Sequence, residues 1–181
     1  PEDVRKGEFE DSMLECVNTM DFRLGETESW FEKAFSYVQR FIAEGGYRLY
    51  PDMVSLPVSV NGGQDVTIVH RWRNMGWGYC PTNIKAWNQK YKVAFALLND
   101  NNEVKKIFVD EQSDFSTWLK EAPTTYTTKL SMKGVSVGAY SWAVGLVDVT
   151  KDNEIGLEMA VNQDDNLLNS GWLKLKTITV N

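Results

Sequence analysis

The chain has 181 residues, of which 43% are hydrophobic and 24% charged, a composition typical of a folded globular domain and not of a disordered chain. The formal net charge of −6, the isoelectric point near 4.9 and the lack of any Lys and Arg cluster exclude the basic footprint of a nucleic-acid-binding protein. No apolar run reaches the roughly 18 residues of a membrane span, and the start lacks the apolar region of a signal peptide. Because the chain begins with Pro1 and not Met, we expect a processed product or a piece of a longer protein.

Residues 1–45 have a helical pattern. In residues 7–20 apolar side chains recur at intervals of three and four, which predicts one face of an α-helix. A second apolar stripe runs through residues 26–46, with acidic residues in its first turn and two glycines at its end, which are helix start and stop signals. We therefore predict a helical segment at 1–45 and a second domain at 46–181.

From residue 47 onward the hydrophobic period changes to two, which is typical of β-strands. Turn signals such as Asn61-Gly62-Gly63 separate the strands, and no helical pattern lies between them. The sequence therefore predicts a mainly β fold: an antiparallel β-sandwich, immunoglobulin-like or fibronectin-like, of jelly-roll or Greek-key topology, behind a short N-terminal helical segment. The predicted strands are 47–57, 65–72, 91–99, 104–110, 125–132, 139–149 and 173–181, with a weaker one at 155–161.

The single histidine and the two cysteines do not define a catalytic or metal site. His70 alternates with Ile68 and Trp72, so we predict that it points with the apolar set as a satisfied, partly buried side chain. The string GVSVG at 134–138 has the spacing G-x-S-x-G, but it lies in the turn between two predicted strands and not between a strand and a helix, where that nucleophile motif belongs. Cys16 and Cys80 lie in regions of different character, and the pattern favours two unpaired thiols while leaving a bridge between them open.

Acidic residues cluster in three places, but none of the clusters has the spacing of an EF-hand loop. Solvated turns are the default interpretation. A structural calcium ion held by loop carboxylates and carbonyls remains an open alternative. The clusters are Asp110, Glu111 and Asp114; Asp148, Asp152 and Glu154; and Asp164 and Asp165.

Residues 75–88 break the strand pattern, and Gly76, Gly78 and Pro81 predict a loop that is rich in aromatic side chains. One interpretation is a lid that packs over one end of the sandwich core. The other is a sugar-binding surface, because a pyranose ring stacks on an indole or phenol while amide groups bond the sugar hydroxyls. The candidate carbohydrate-binding residues are Trp77, Tyr79, Trp87, Asn74, Asn83 and Asn88, with Lys85 and Gln89 as further polar groups.

Short motifs follow one another in a fixed order along the second domain: GYR at 46–48, WRNMG at 72–76, LND at 98–100, DFSTWL at 114–119, GAYSWAVGLVD at 138–148 and GW at 171–172. In this order they resemble a bacterial domain family of unassigned function that forms the C-terminal β-sandwich behind a glycosidase-like (β/α)8 barrel. The resemblance covers nearly all of 47–181. It implies that 31–44 is the last barrel helix and 20–24 the strand before it. The chain departs from the family by inserting YCPTNIKAWNQK at 79–90, which adds aromatic and amide side chains.

The loop and the resemblance together predict a non-catalytic carbohydrate-binding accessory module of a polysaccharide-degrading protein, without catalytic residues, metal ligands or a cofactor of its own. Its expected partners are a β-linked glycan such as β-glucan or xylan and the preceding barrel. The alternative is a structural sandwich that packs against that barrel without binding sugar, and a third hypothesis is an autonomous hydrolase. The resemblance implies a bacterial protein that is secreted or on the cell surface. The two leading hypotheses differ in whether the loop aromatics face solvent or join the face of the N-terminal helices.

Overall fold

The computed structural model describes residues 2–22, 27–164 and 166–181. The N-terminal segment forms helix α1 (Glu2–Leu14), a π-helical turn (Ser29–Lys33) and helix α2 (Phe35–Glu44). Ala34, with φ −136° and ψ 25°, separates the last two, so the second predicted helix is interrupted. The strand expected at 20–24 is absent from residues 20–22, and its remainder lies outside the described residues. No helix in the described part of the chain combines the length and apolar character needed to span a bilayer.

The described residues after residue 45 contain nine strands, and the bounds of these strands lie within a few residues of the predicted ones. The exception is β2, a two-residue strand that the sequence pattern did not indicate. The strands are β1 (Leu49–Ser55), β2 (Ser59–Val60), β3 (Asp65–Asn74), β4 (Tyr91–Leu98), β5 (Val104–Asp110), β6 (Thr124–Ser131), β7 (Gly138–Asp148), β8 (Glu154–Leu157) and β9 (Leu173–Val180).

The strands form two sheets, so the prediction of a mainly β sandwich is confirmed. The smaller sheet has the order β1-β3-β6, and the larger has the order β2-β9-β7-β4-β5 with β8 paired to β7. The pairings are antiparallel except that of β2 with β9, where two residues of each strand pair in parallel. The fold is therefore not purely antiparallel, because the chain after β1 lays a short strand along the outer edge of β9.

The core lies between the two sheets and follows from the alternation within each strand. Every second residue of β3 from Val66 to Asn74 is buried, while the residues between them are exposed or half-buried. Trp72 is fully buried and stacks at 5.1 Å on Trp118, which follows a 3₁₀ turn after β5. Burying each such side chain stabilises the fold by about 2 kcal/mol, so these few positions fix which face of each sheet turns inward.

The central strands β4 and β7 are buried on both faces, which explains their continuous apolar runs. Their outer face carries Ala94, Ala96 and Ala143, and the indole of Trp172 packs over it. A Cβ on Gly145 would lie 2.4 Å from the side chain of Ile155, so this position needs glycine for close packing.

Candidate functional site

The aromatic loop begins by continuing the edge of the smaller sheet. Beyond the last register pair of β1 and β3, Met75 N donates to Arg48 O at 2.9 Å and Trp77 N donates to Glu44 O at 3.0 Å. Residues 75–78 therefore run beside the chain that joins α2 to β1. The first half of the loop is tied to the helical segment by backbone hydrogen bonds.

Asn74, the last residue of β3, organises this half of the loop. Its Oδ1 accepts from the backbone N–H groups of Arg48 at 2.9 Å and Gly76 at 3.0 Å, and its Nδ2 donates to the carbonyls of Gly78 at 2.6 Å and Trp118 at 3.0 Å. Both donors and both acceptor sites of the amide are used, and the side chain is buried. Asn74 therefore holds the loop to the neighbouring backbone, and its role in binding sugar hydroxyls stays a prediction that its burial does not favour.

Trp77 is buried against the helices and is only 4% exposed. Its ring lies edge-on to Phe9 of α1 at 5.3 Å and to Phe41 of α2 at 5.4 Å. Its Nε1 donates to the carbonyl of Val17 at 3.2 Å. The indole of a sandwich loop thus forms part of the hydrophobic cluster of the helical segment. Its role in stacking on a sugar stays a prediction, and it requires the helices to move away from the ring.

Two glycines allow the helical segment to approach this closely. A Cβ on Gly76 would lie 2.0 Å from Gly46 O, and a Cβ on Gly78 would lie 2.1 Å from Asn18 Oδ1 and 2.8 Å from the carbonyl carbon of Gly46. Asn18 also donates from Nδ2 to Tyr79 O at 2.9 Å. In the sequence the two glycines indicate a loop, and their placement on either side of Trp77 in MGWG is the further signal of a close backbone contact.

The second half of the loop, residues 79–90, packs against the sandwich and not against the helices. Trp87 is half-buried, packs against the sandwich core and lies edge-on to Tyr91 at 5.2 Å. Lys90 Nζ lies 5.8 Å from the Trp87 ring and 4.8 Å from the Tyr91 ring, within cation–π range. Thr82 Oγ1 donates to Asp114 Oδ1 at 3.0 Å and anchors this half to the turn after β5.

The six predicted carbohydrate-binding residues therefore do not form one exposed platform. Four of the six side chains are at least partly exposed to solvent. Two of these are well-exposed asparagines, and the other two are half-buried aromatic residues. The buried members are Asn74 and Trp77, the half-buried members are Tyr79 and Trp87, and the exposed members are Asn83 and Asn88.

His70 is fully buried, as the alternation predicts, and it forms a chain of polar contacts through the core. Trp72 Nε1 donates to His70 Nδ1 at 2.8 Å, and His70 Nε2 lies 3.1 Å from Asp110 Oδ2. The indole donor assigns the imidazole proton to Nε2, facing the carboxylate. Burial raises the pKa of Asp110, but hydrogen bonds from His70, the Gln112 amide and Thr128 outweigh it and hold that pKa below its ordinary value. Both ring nitrogens are occupied away from solvent, so the contacts serve packing and not proton transfer to a substrate.

The two cysteines are free thiols, Cys80 buried and Cys16 half-buried. Burial raises the pKa of the Cys80 thiol to about 12, and burial likewise raises the pKa of the neighbouring Tyr47 to about 12. A thiol so disfavoured as thiolate is a poor nucleophile. Cys80 therefore behaves as a core residue.

Two members of the acidic clusters, Asp110 and Asp148, are buried at the ends of β5 and β7, so the interpretation as solvated turns does not hold for them. Asp110 faces His70, Asp148 accepts from Thr150 N at 2.9 Å, and Asp165 lies outside the described residues. Within the described residues, no group of three or more His, Cys, Asp or Glu side chains is arranged to hold a metal ion.

Comparison with known proteins assigns no family to the chain. No protein-family model matches it, and no curated protein matches it. Among solved structures it is similar to the CARDB domain of the PF1109 protein from Pyrococcus furiosus, solved in complex with di-metal ions, at 13% identity and a TM-score of 0.40, covering 75% of this chain and 89% of that one. It is similar to the C-terminal domain of wzt at 10% identity and a TM-score of 0.38, covering 75% and 71%.

A third similarity is to the β-glucosidase from Listeria innocua, at 14% identity and a TM-score of 0.32, covering 55% of this chain and 14% of that enzyme. At these values the similarities carry no information about function. The resemblance to a domain behind a glycosidase-like barrel stays a prediction.

Proposed function

We propose that the chain is a non-catalytic structural module in which the β-sandwich holds the helical segment, and through it a neighbouring barrel domain of the parent protein, in a fixed orientation. The burial of Trp77 among the helices supports the attachment of the helical segment to the sandwich. The barrel is the neighbour that the resemblance to the bacterial family implies. Residues 75–79 reach the helical segment and the connection that follows it through a tryptophan, three backbone hydrogen bonds and the amide of Asn18.

Several separate contacts define an orientation better than one does, because a single contact leaves rotation about itself free. Lys120 Nζ adds a further link at 3.4 Å from Glu44 Oε2 at the end of α2. Truncating a buried tryptophan costs about 3–5 kcal/mol, so Trp77 supplies much of the attachment of the helices to the sandwich.

The experiment is hydrogen exchange on the intact chain and on a Trp77→Ala variant. We expect amides of α1 and α2 to exchange at least tenfold faster in the variant, while β4 and β7 stay protected, because the helices lose their attachment before the sheets open. Trp87→Ala is the matched control, since it removes a tryptophan from the same loop without touching the helices. Unchanged protection of α1 and α2 in Trp77→Ala contradicts the proposal.

A second candidate function is binding of a neutral β-linked glycan by the outer half of the loop. The half-buried ring of Trp87 with the exposed amides of Asn83 and Asn88 favours it. With so few stacking groups, the expected dissociation constant is on the order of millimolar.

The test of the second candidate is affinity electrophoresis and pull-down on cellulose, xylan, mixed-linkage glucan and mannan. Retardation by one glycan that is lost in a folded Trp87→Ala variant supports it. If the intact chain binds none of the four, this candidate fails while the structural proposal stands, because that proposal depends on Trp77.

A further inference from the structure

The outer face of the smaller sheet carries a pair of arginines on one strand. Arg71 and Arg73 lie two residues apart on β3, on the face opposite to the buried Trp72. Their side chains are 38% and 39% exposed. Two guanidinium groups thus stand side by side on a solvent-facing sheet.

A bulge in β1 holds both arginines in place. The register of β1 against β3 shifts between Pro51 and Met53, which makes Asp52 the extra residue of the strand. Its Oδ1 accepts from Arg71 Nε at 2.7 Å and its Oδ2 from Arg73 Nε at 2.5 Å. Bulges commonly redirect a side chain next to a binding site, and here the bulge directs one carboxylate at two cations.

The group formed by Asp52 and the two arginines has one uncompensated positive charge. Burial raises the pKa of Asp52, but the hydrogen bonds from Arg71 and Arg73 outweigh it and keep that pKa below its ordinary value, so Asp52 is ionised at neutral pH. Among the described residues, no protein acceptor bonds the Nη groups of either arginine. The Nε contacts already restrict both arginine side chains. A ligand that binds their Nη groups therefore causes a smaller loss of side-chain conformational entropy.

Residues with hydroxyl groups lie on both strands that flank the pair, although Met53 is the residue opposite Arg71 on β1. Register pairing places Tyr50 opposite Arg73 and Thr125 opposite Arg71, and Thr127 lies two residues further along β6. Residues paired across strands have Cβ atoms about 5 Å apart, so one ligand reaches a guanidinium and a hydroxyl together.

We propose that this face binds the carboxylate of an acidic sugar, with the Nη groups of Arg71 and Arg73 holding the carboxylate and the neighbouring hydroxyls holding the ring hydroxyls. Planar guanidinium groups match a carboxylate in a way that an ammonium does not. The exposed threonines of β6 add hydroxyl groups to the face, which suits the hydroxyl groups of a sugar ring. The site is separate from Trp77 and Trp87, and this inference does not rest on the proposed function.

The distribution of charge makes the inference sharply testable. Residues 1–45 contain eleven acidic and five basic residues, so the whole formal net charge of −6 lies in the helical segment and the sandwich is neutral. A polyanion is therefore repelled by the chain as a whole, and any binding of one must come from a local site.

The experiment is calorimetric titration of the intact chain with trigalacturonate and with its methyl ester, which has the same ring skeleton without the charges. We expect binding of trigalacturonate with a dissociation constant on the order of 0.1–1 mM and at least tenfold weaker binding of the ester. Equal binding of both, or binding of neither, overturns the proposal.

Two variants separate geometry from charge. The double variant Arg71→Lys, Arg73→Lys keeps the net charge but loses the planar groups, and we expect at least a tenfold loss of affinity with an unchanged melting temperature. Lys129→Gln removes a cation from the same sheet face, one that pairs with Asp65 at 2.8 Å, and we expect binding within twofold of the unaltered chain. Full affinity in the double variant, or an equal loss in Lys129→Gln, shows unspecific charge attraction and overturns the site.

Two further titrants test the ligand class. Inorganic phosphate is expected to bind at least tenfold more weakly than trigalacturonate, because it makes no contact with the ring-binding hydroxyls. A polyglutamate peptide that binds more tightly than trigalacturonate assigns the face to an acidic protein partner and overturns the sugar assignment.

Discussion

Replacing Gly76 by alanine tests the close contact between the loop and the helical segment. The added Cβ would lie 2.0 Å from Gly46 O, 2.8 Å from its carbonyl carbon and 3.3 Å from Glu44 O. Carbon and oxygen atoms rarely approach closer than about 3.3 Å, so two backbone segments must separate by about 1 Å. Neither segment has a flexible side-chain end at this point that moves aside at low cost.

The expected loss of stability has two sources. Forcing one extra methyl group into a packed site costs about 1–3 kcal/mol. The separation also weakens the hydrogen bonds from Trp77 N to Glu44 O and from Gly78 N to Gly46 O, each contributing about 1 kcal/mol. We therefore expect Gly76→Ala to lower the free energy of unfolding by about 3–5 kcal/mol, or to release the helices from a sandwich that stays folded.

The assay is urea unfolding followed by tryptophan fluorescence and by circular dichroism at 222 nm, which report on the core and on the helices. The control is Gly7→Ala in α1, where an added Cβ has no atom within 4 Å, and there we expect a gain of up to about 1 kcal/mol. A Gly76→Ala variant that loses less than 1 kcal/mol and unfolds in one coincident transition would refute the reasoning.

Two more predictions concern buried polar groups. Because the folded-state pKa of Asp110 is depressed, its contribution to stability is present above the unfolded value of 3.8 and is lost as the pH falls through the folded pKa. We expect Asp110→Asn, which weakens the contact with His70, to lower the free energy of unfolding by about 2 kcal/mol at pH 7 and by less below pH 4. Thermal unfolding of the variant and of the unaltered chain across this pH range measures the difference. A difference that does not change with pH contradicts the prediction. Because Cys80 is buried and its pKa is raised to about 12, we expect a maleimide at pH 7.5 to label only Cys16 in the folded chain and both thiols in urea. Mass spectrometry of the labelled protein distinguishes these products. Labelling of Cys80 in the folded chain contradicts its burial.

Much of the sandwich is predictable from the sequence, because strand periodicity is a local property. The strand at 104–110 has the predicted bounds, and the alternation from Val66 through Trp72 gives the inward face of β3. The same alternation, carried two residues further, places Asn74 inward as well. Its polar side chain suggested a ligand contact, whereas the structure uses it to bond four backbone groups.

The candidate site was harder to predict because accessibility depends on residues that are distant in sequence. The loop and its aromatic content follow from Gly76, Gly78 and Pro81, but nothing local shows which tryptophan is covered. Trp77 bonds a carbonyl 60 residues earlier in the chain, while Trp87 packs against the sandwich. The arginine pair was missed because it depends on the bulge at Asp52, and single-sequence alternation does not reveal bulges.

The sequence by itself determined the class of fold and the inward faces of the strands, since burial periodicity and turn residues act over a few positions. The tertiary structure alone decided that Trp77 belongs to the helical cluster and that Arg71 and Arg73 share one carboxylate. Both outcomes depend on contacts between segments brought together only when the sheets and helices pack. The glycines beside Trp77 leave space for the helical segment to pack closely, and the extra residue in the bulge of β1 brings Asp52 into contact with both arginines.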